Sequence, residues 1–250
     1  ESSSGLSHVF HARSDWFAEM VDPNIEPGHG ISLDISTSGT IHAVFYDSSI
    51  RTLRYAWKER GEAWRFESIV SDASAAIFVP RVQVDTLGTV HVVYCHQAPA
   101  ADGATVRYVF RRDGVWMPAV DLSAAGGITR LAKGQSNVPL TLDLDPSDRP
   151  WVAFEPLSGD ISLAVWNSAF WESISFSRPG NHILSDYHVS MVVDRRGGIH
   201  LACSFSDNGG ETKVYYFRGI LKKVPHCTDY NQDGFVDEQD LMMLLPGWGQ

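Results

Sequence analysis

Cysteine is scarce: Cys95, Cys203 and Cys227 are the three in 250 residues. They are too few for a disulfide framework and lack the C-x-x-C spacing of a zinc pair. Basic side chains are in deficit as well, 20 Lys and Arg against 30 Asp and Glu, for a formal charge of -10. Such a surface repels a phosphate backbone, which excludes nucleic acid as the expected partner. No apolar run approaches the roughly 18 residues of a membrane-crossing helix. Gly 21 and Pro 12 are close to average usage, so collagen-like and linker-like chains are excluded. What is present is a globular balance, 44% hydrophobic and 20% charged, long enough to bury a sizeable core.

Most of the chain is a repeat. Four gap-free copies read SLDISTSGTIH at 32–42, RVQVDTLGTVH at 81–91, TLDLDPSDRPW at 141–151 and SMVVDRRGGIH at 190–200. The last position falls at 42, 91, 151 and 200, so the steps are 49, 60 and 49. Each copy opens with period-2 alternation, the mark of a half-buried strand. A four-residue turn follows, with Ser36, Asp85, Asp145 or Asp194 first and Gly39, Gly88, Asp148 or Gly197 fourth, the preferences of a type I turn. A second strand returns through Ile41, Val90, Trp151 or Ile199.

A third strand is expected at Leu53 to Trp57, Val106 to Phe110, Ile161 to Val165 and Lys213 to Phe217, and a fourth opening at Trp64, Trp116 and Trp171. Four short antiparallel strands per repeat of about 50 residues predict an all-β fold of the β-propeller type, with four to five blades. Near the N-terminus Leu6 to Phe10 reads as a third strand and Trp16 to Val21 as a fourth, without a first hairpin, and the copy at 190–217 lacks the Trp-led fourth strand. Two accounts stay open: the N-terminal strands complete the last blade, or the chain is the C-terminal part of a larger propeller.

The motif S/D-x-x-G-x-I/V-H, with an aromatic strand and a later Gly-x-x-Trp, resembles the BNR-like repeats of sialidase-type propellers over about residues 5–220. The resemblance implies the architecture; the Asp-box S/T-x-D-x-G-x-x-W/F is not matched. A sialidase would also bring three Arg and a Tyr nucleophile to one site, whereas Arg81 is the one unrepeated inner Arg, Arg54 and Arg107 being copies of each other.

The sharpest motif is C-terminal. DYNQDGFVDEQD from Asp229 places oxygen ligands at loop positions 1, 3, 5, 9 and 12 as Asp229, Asn231, Asp233, Asp237 and Asp240, with Gly234 at 6 and the Phe235 carbonyl at 7. Alternating oxygens around a sharp glycine turn suit calcium. Leu241, Leu244 and Leu245 then predict a short amphipathic, EF-hand-like helix. With Asp at position 12 and a terminal Trp248-Gly249, residues 229–249 resemble a single dockerin type I repeat. That resemblance implies a cohesin-like protein partner and an extracellular or cell-surface location. The expected division is a propeller over 1–220, a linker over 221–228 with Lys222, Lys223 and Pro225, and the calcium module over 229–250. Cys227 is a structural thiol, a tether or a disulfide partner.

Repeated residues serve the scaffold first, so His42, His91, His200 and the repeated Trp are expected in packing. The 60-residue step puts longer loops at Cys95 to Thr105 and Asp121 to Val138, where binding sites or inert insertions both fit. Candidate ligand-binding residues are the polar residues of the innermost strands, Asp34, Arg81, Gln83 and Asp143. An Arg among carboxylates grips an acidic sugar or forms structural ion pairs. Glycosidases need two carboxyl groups roughly 5 to 10 Å apart; Asp34, Asp143 and Glu155 are the ones available. The first expectation is a secreted or surface-attached protein that binds a polysaccharide, a glycoprotein glycan or a protein without catalysis. The second is a glycoside hydrolase or lyase working in the central funnel.

Overall fold

A computed structural model describes residues 5–12, 14–99, 103–122, 128–129, 139–155, 161–167, 170–176, 189–206 and 212–220. The described residues form strands and connecting turns, with no α-helix. The dockerin-like segment 229–249, its calcium ligands and the linker lie outside them.

The strands fall into five successive antiparallel sheets. The first pairs β1 (Leu6–Ala12) with β2 (Asp15–Asp22). The second runs in order through β3 (Pro27–Ile35), β4 (Ile41–Asp47), β5 (Thr52–Lys58) and β6 (Arg65–Ser71). The third holds β7 (Ala76–Val84), β8 (Val90–Gln97), β9 (Ala104–Arg112) and β10 (Val115–Trp116), with β11 (Val120–Asp121) and β12 (Ile128–Thr129) also paired to β9. The fourth is β13 (Leu140–Leu144), β14 (Pro150–Phe154), β15 (Ile161–Trp166) and β16 (Trp171–Phe176). The fifth is β17 (Val189–Val193), β18 (Gly198–Ser206) and β19 (Thr212–Ile220).

Four apolar clusters lie between successive sheets. Val21, Ile25, Phe45 and Ala56 join the first to the second; Val44, Tyr55, Val82 and Val92 join the second to the third. Val93, Val106, Leu142 and Phe154 join the third to the fourth, and Trp151, Leu163, Met191 and Leu201 the fourth to the fifth. The second strands β4, β8 and β14 are therefore covered on both faces. That is why β8 and β14 are buried along nearly their whole length and read as continuous apolar runs, while the first strands alternate. First strands lie next to one another in the order β3, β7, β13, β17, an all-β arrangement resembling propeller-type folds.

The repeat hairpins form as the spacing predicts. In each, the fourth turn residue donates its amide to the carbonyl of the first, at 2.8 to 3.1 Å. Gly39, Gly88 and Gly197 take positive φ there, and Asp148 does so as well at φ 59°. Asp148 gains something in return, because its carboxylate accepts the amide and hydroxyl of Thr86 from the neighbouring hairpin turn.

Two details differ from the sequence expectation. The fourth strand opened by Trp116 is broken into β10 and β11, because Pro118 supplies no amide for the ladder. First strands β3 and β7 begin earlier than the copies suggest, each with a bulge, and Gly30 (φ 100°) and Val79 (φ 47°) occupy the same repeat position within it. For a β-branched residue such as Val79 that conformation is strained.

Candidate functional site

The repeated histidines belong to a brace that ties turn, second strand and third strand together. In the third sheet the Asp85 carboxylate accepts the amides of Leu87 (2.9 Å) and Thr89 (2.6 Å), its other oxygen lies 3.4 Å from His91 Nε2, and His91 Nδ1 is 2.7 Å from the Tyr108 hydroxyl. The fifth sheet repeats this with Asp194, His200 and Tyr216, at 3.0 and 2.6 Å. The His200 contact holds the Asp194 carboxyl low, at about 2. In the fourth sheet Trp151 replaces His and Leu163 stands in the place of Tyr, so an apolar pair substitutes for the polar one. Asp145 then takes the Trp151 indole N–H at 3.2 Å and Arg149 Nε at 2.7 Å.

The second sheet has Ser36 where the others have Asp. His42 Nδ1 keeps its 2.7 Å contact with Tyr55, but Nε2 is buried without a partner. Burial, with the Arg111 charge adding to it, pulls the His42 imidazole down to about 4. Ser36→Asp should give Nε2 an acceptor and stabilise the fold by about 1 kcal/mol, read as a higher urea midpoint at pH 7.

The tryptophans serve a second repeated device. Glu19 on β2 accepts the Trp64 indole N–H at 3.1 Å and pairs with Lys58 and His8. Burial opposes ionisation of Glu19, yet the bonds from Lys58, His8 and Trp64 prevail and lower its pKa. Glu67 on β6 likewise accepts Trp116 Nε1 at 3.0 Å and a bidentate Arg111 at 2.9 and 2.7 Å. Each Glu follows its sheet's Trp by three residues. In the third sheet that place is Ala119, and Trp171 Nε1 of the fourth sheet is buried without a partner. Ala119→Glu should therefore raise stability by about 1 kcal/mol, an increase that Trp171→Phe in the same background abolishes in the same denaturation assay.

The candidate residues of the first strands form a third set, in which the carboxylates reach from one sheet to the next. Asp34 Oδ1 accepts the Ile35 amide at 2.8 Å and Oδ2 the Val84 amide of the following first strand at 2.7 Å. Asp143 repeats this with Leu144 (2.9 Å) and Val193 (2.6 Å), and Ser32 Oγ accepts the Val82 amide at 3.1 Å. Burial raises the Asp143 pKa most; the two amides oppose this and the charge of Asp34 adds to it. The Asp34 charge thus reaches Asp143 across the intervening first strand, where Gln83 holds the same repeat position.

Arg81, two residues before Gln83, donates Nη1 to the Pro80 carbonyl at 3.0 Å. Burial lowers its guanidinium pKa, and among the described residues no ion pair joins it to a carboxylate. Glu155 directly follows β14 and is 2% exposed. Sequence reasoning missed the Asp72–His96 pair, in which buried His96 Nε2 lies 3.0 Å from a carboxylate that bonds from Ser74, His96 and Ala75 hold well below the usual range. Its signal, D-x-S after β6, is the same side-chain-capped turn grammar as in the repeats. Among the described residues no group of three or more His, Cys, Asp and Glu is placed to hold a metal ion, and no helix is long and apolar enough to cross a membrane.

No protein-family model matches the chain, and no curated protein matches it. Solved structures do. The intramolecular trans-sialidase of Ruminococcus gnavus matches with a TM-score of 0.54 and 12% identity, covering 84% of this chain and 48% of that one. A lectin of Aleuria aurantia, a six-bladed β-propeller that recognises fucose, matches at 0.54 and 11%, covering 89% and 72%. An exo-β-1,3-galactanase of Phanerochaete chrysosporium matches at 0.50 and 10%, covering 80% and 48%. The chain spans about half the length of the trans-sialidase and the galactanase. At these identities the likeness is one of fold, to propeller-type proteins that act on carbohydrate. It corrects the expectation of a protein without catalysis, since trans-sialidases, a sialidase and a galactanase stand beside the lectin among the matching structures.

Proposed function

We propose that the chain acts on glycans as a glycoside hydrolase, with Asp34 and Asp143 as the working carboxyl pair on the first strands of a closed propeller. The observation that carries this reading is the raised pKa of Asp143, which comes mainly from its burial and in part from the Asp34 charge on a first strand of the same set. A carboxyl group that holds its proton more tightly near a second carboxyl group suits the division of labour that glycoside hydrolysis needs. Asp143 donates a proton to the leaving glycosidic oxygen; Asp34 supports the opposite face of the sugar or activates a water there. The backbone amides that each accepts fix their orientation and leave further lone pairs for a substrate.

Gln83 offers both a donor and an acceptor to sugar hydroxyls between them. Arg81 is a half-buried cation with no ion-pair partner among the described residues, which favours a glycan carrying a carboxylate or sulfate. Calorimetric injection of neutral and acidic polysaccharides tests the reading. Sustained heat after each injection, for acidic glycans first, supports it, and Arg81→Gln should weaken the acidic preference about tenfold. Saturating heat without turnover leaves a binding protein, and silence across the panel contradicts both.

The tail adds a proposal that rests on its sequence pattern. Asp229, Asn231, Asp233, the Phe235 carbonyl, Asp237 and Asp240 bind calcium, and the dockerin-like repeat attaches the protein to a cohesin-like partner outside the cell. Asp229→Ala with Asp240→Ala should abolish a calcium-titration signal and leave the far-UV spectrum of the strands unchanged; collapse of that spectrum would contradict the two-part division.

A further inference from the structure

Three junctions between sheets are filled by the same ring. Trp64 packs in the cluster of Val21, Phe45 and Ala56, Trp116 in that of Tyr55 and Val109, and Trp171 in that of Tyr108 and Ala164. The rings of Trp116 and Trp171 meet the Tyr of the preceding sheet edge to face, with centroids at 5.4 and 4.8 Å. The junction between the fourth and fifth sheets holds no such ring among the described residues. Trp64, Trp116 and Trp171 follow Lys58, Arg111 and Trp166 by five or six residues, whereas Val224 and Pro225 stand at that distance from the matching Gly219. A cavity of about 130 Å³ lies there instead, lined by Leu163 of β15, Ile199 and Leu201 of β18, and Phe217, Arg218 and Gly219 of β19. By repeat position it is the place of the missing Trp: Leu163 stands where the other sheets have Tyr55 and Tyr108, and Phe217 where they have Ala56, Val109 and Ala164.

An apolar cavity of roughly 150 Å³ stays dry and takes up one benzene ring, so a slightly smaller one walled by Leu, Ile and Phe selects an aromatic side chain. Ile174 occupies the place of Glu19 and Glu67, which accept the indole N–H in two sister junctions. Burial of the ring, and not a carboxylate bond, therefore holds the occupant. We infer that this occupant is the indole of Trp248. Of the eight Trp in the chain it is the one beyond β19. The chain leaves β19 at Ile220, directly after the cavity-lining Arg218 and Gly219, and an eight-residue linker over 221–228 spans up to about 26 Å, ample to bring the tail back to this wall. Seating of the ring ties the tail to the fourth and fifth sheets. It is independent of whether the tail takes calcium or the first-strand carboxylates hydrolyse a glycan.

The test uses the full chain with 5-fluorotryptophan in place of Trp, its 19F resonances assigned by single Trp→Phe variants. Broadening by a soluble gadolinium chelate reads exposure, with Trp16, 73% exposed, as the reference. Trp248 should broaden several-fold less than Trp16. Gly219→Phe fills the cavity from its own wall, and a Cβ at that position meets no atom within 4 Å. In that variant Trp248 should broaden as Trp16 does, while the resonances of Trp57, Trp64 and Trp116 keep their positions and report an intact fold. Broadening equal to that of Trp16 in the unaltered chain overturns the inference. Protection that survives Gly219→Phe also overturns it, since the ring is then buried elsewhere. So does protection lost on dilution, because the ring then comes from a second copy.

Discussion

Asp143→Asn should lower glycan turnover by about 10²- to 10⁴-fold, the usual contribution of a positioned proton donor, with a much smaller change in KM. The amide side chain has no acidic proton to give, yet it retains the size and one acceptor oxygen of the carboxyl. The cost to the fold is separable: the Asn NH₂ must face either the Leu144 or the Val193 amide, so one junction bond is lost, at about 1 to 3 kcal/mol. Urea denaturation reads that cost and steady-state kinetics the other. Asp34→Asn should also reduce turnover, and it carries a second signature. Removing the Asp34 charge takes away one of the causes that raise Asp143, so the alkaline limb of the pH–rate profile should move to lower pH. Activity equal to wild type in both variants would remove these residues from the chemistry.

Acidification from pH 7.5 to 4.5 should cost about 2 to 3 kcal/mol of stability through His42 alone. The folded imidazole titrates at about 4, against about 6.5 in an unfolded chain. Above pH 6.5 both states are neutral there and the stability is fully present. Between 6.5 and 4 the unfolded state takes up a proton that the folded state refuses, so stability falls with pH. Below 4 both are charged and the loss levels off. Burial lowers His91 in the same direction, with Asp85 opposing it, so its share is smaller. Urea titrations at the two pH values measure the sum. Ser36→Asp isolates the His42 part, because a carboxylate at that turn position favours the charged imidazole and should shrink the acid loss. An unchanged loss would mean that another group causes it.

Much of this architecture was legible because the turn chemistry is strict. A Ser or Asp followed three residues later by a Gly, or by Asp148 in one copy, marks each hairpin, and the alternation before it marks each first strand. The second strands were legible as strands though not as doubly buried ones, since burial of both faces of β8 depends on two neighbouring sheets. The reason for the repeated His was hidden for a related cause. Its Tyr partners stand 13, 17 and 16 residues further on, across loops of varying length.

The inner carboxylates were found as polar positions of alternating first strands, but their amide partners lie 50 residues away in the next sheet. Only the stacking of sheets brings Asp34 to Val84. The preference for binding over catalysis was overturned by likeness of fold to sialidases and galactanases, which the unmatched Asp-box kept out of view in the sequence.

The most direct measurement is the titration of Asp143 by NMR in protein labelled with 13C at aspartate carboxyl carbons, alone and with Asp34→Asn. The account predicts a pKa above the ordinary aspartate value of about 3.9, falling when Asp34 loses its charge. An Asp143 that titrates at the ordinary value, or one indifferent to Asp34→Asn, would contradict a paired carboxyl site.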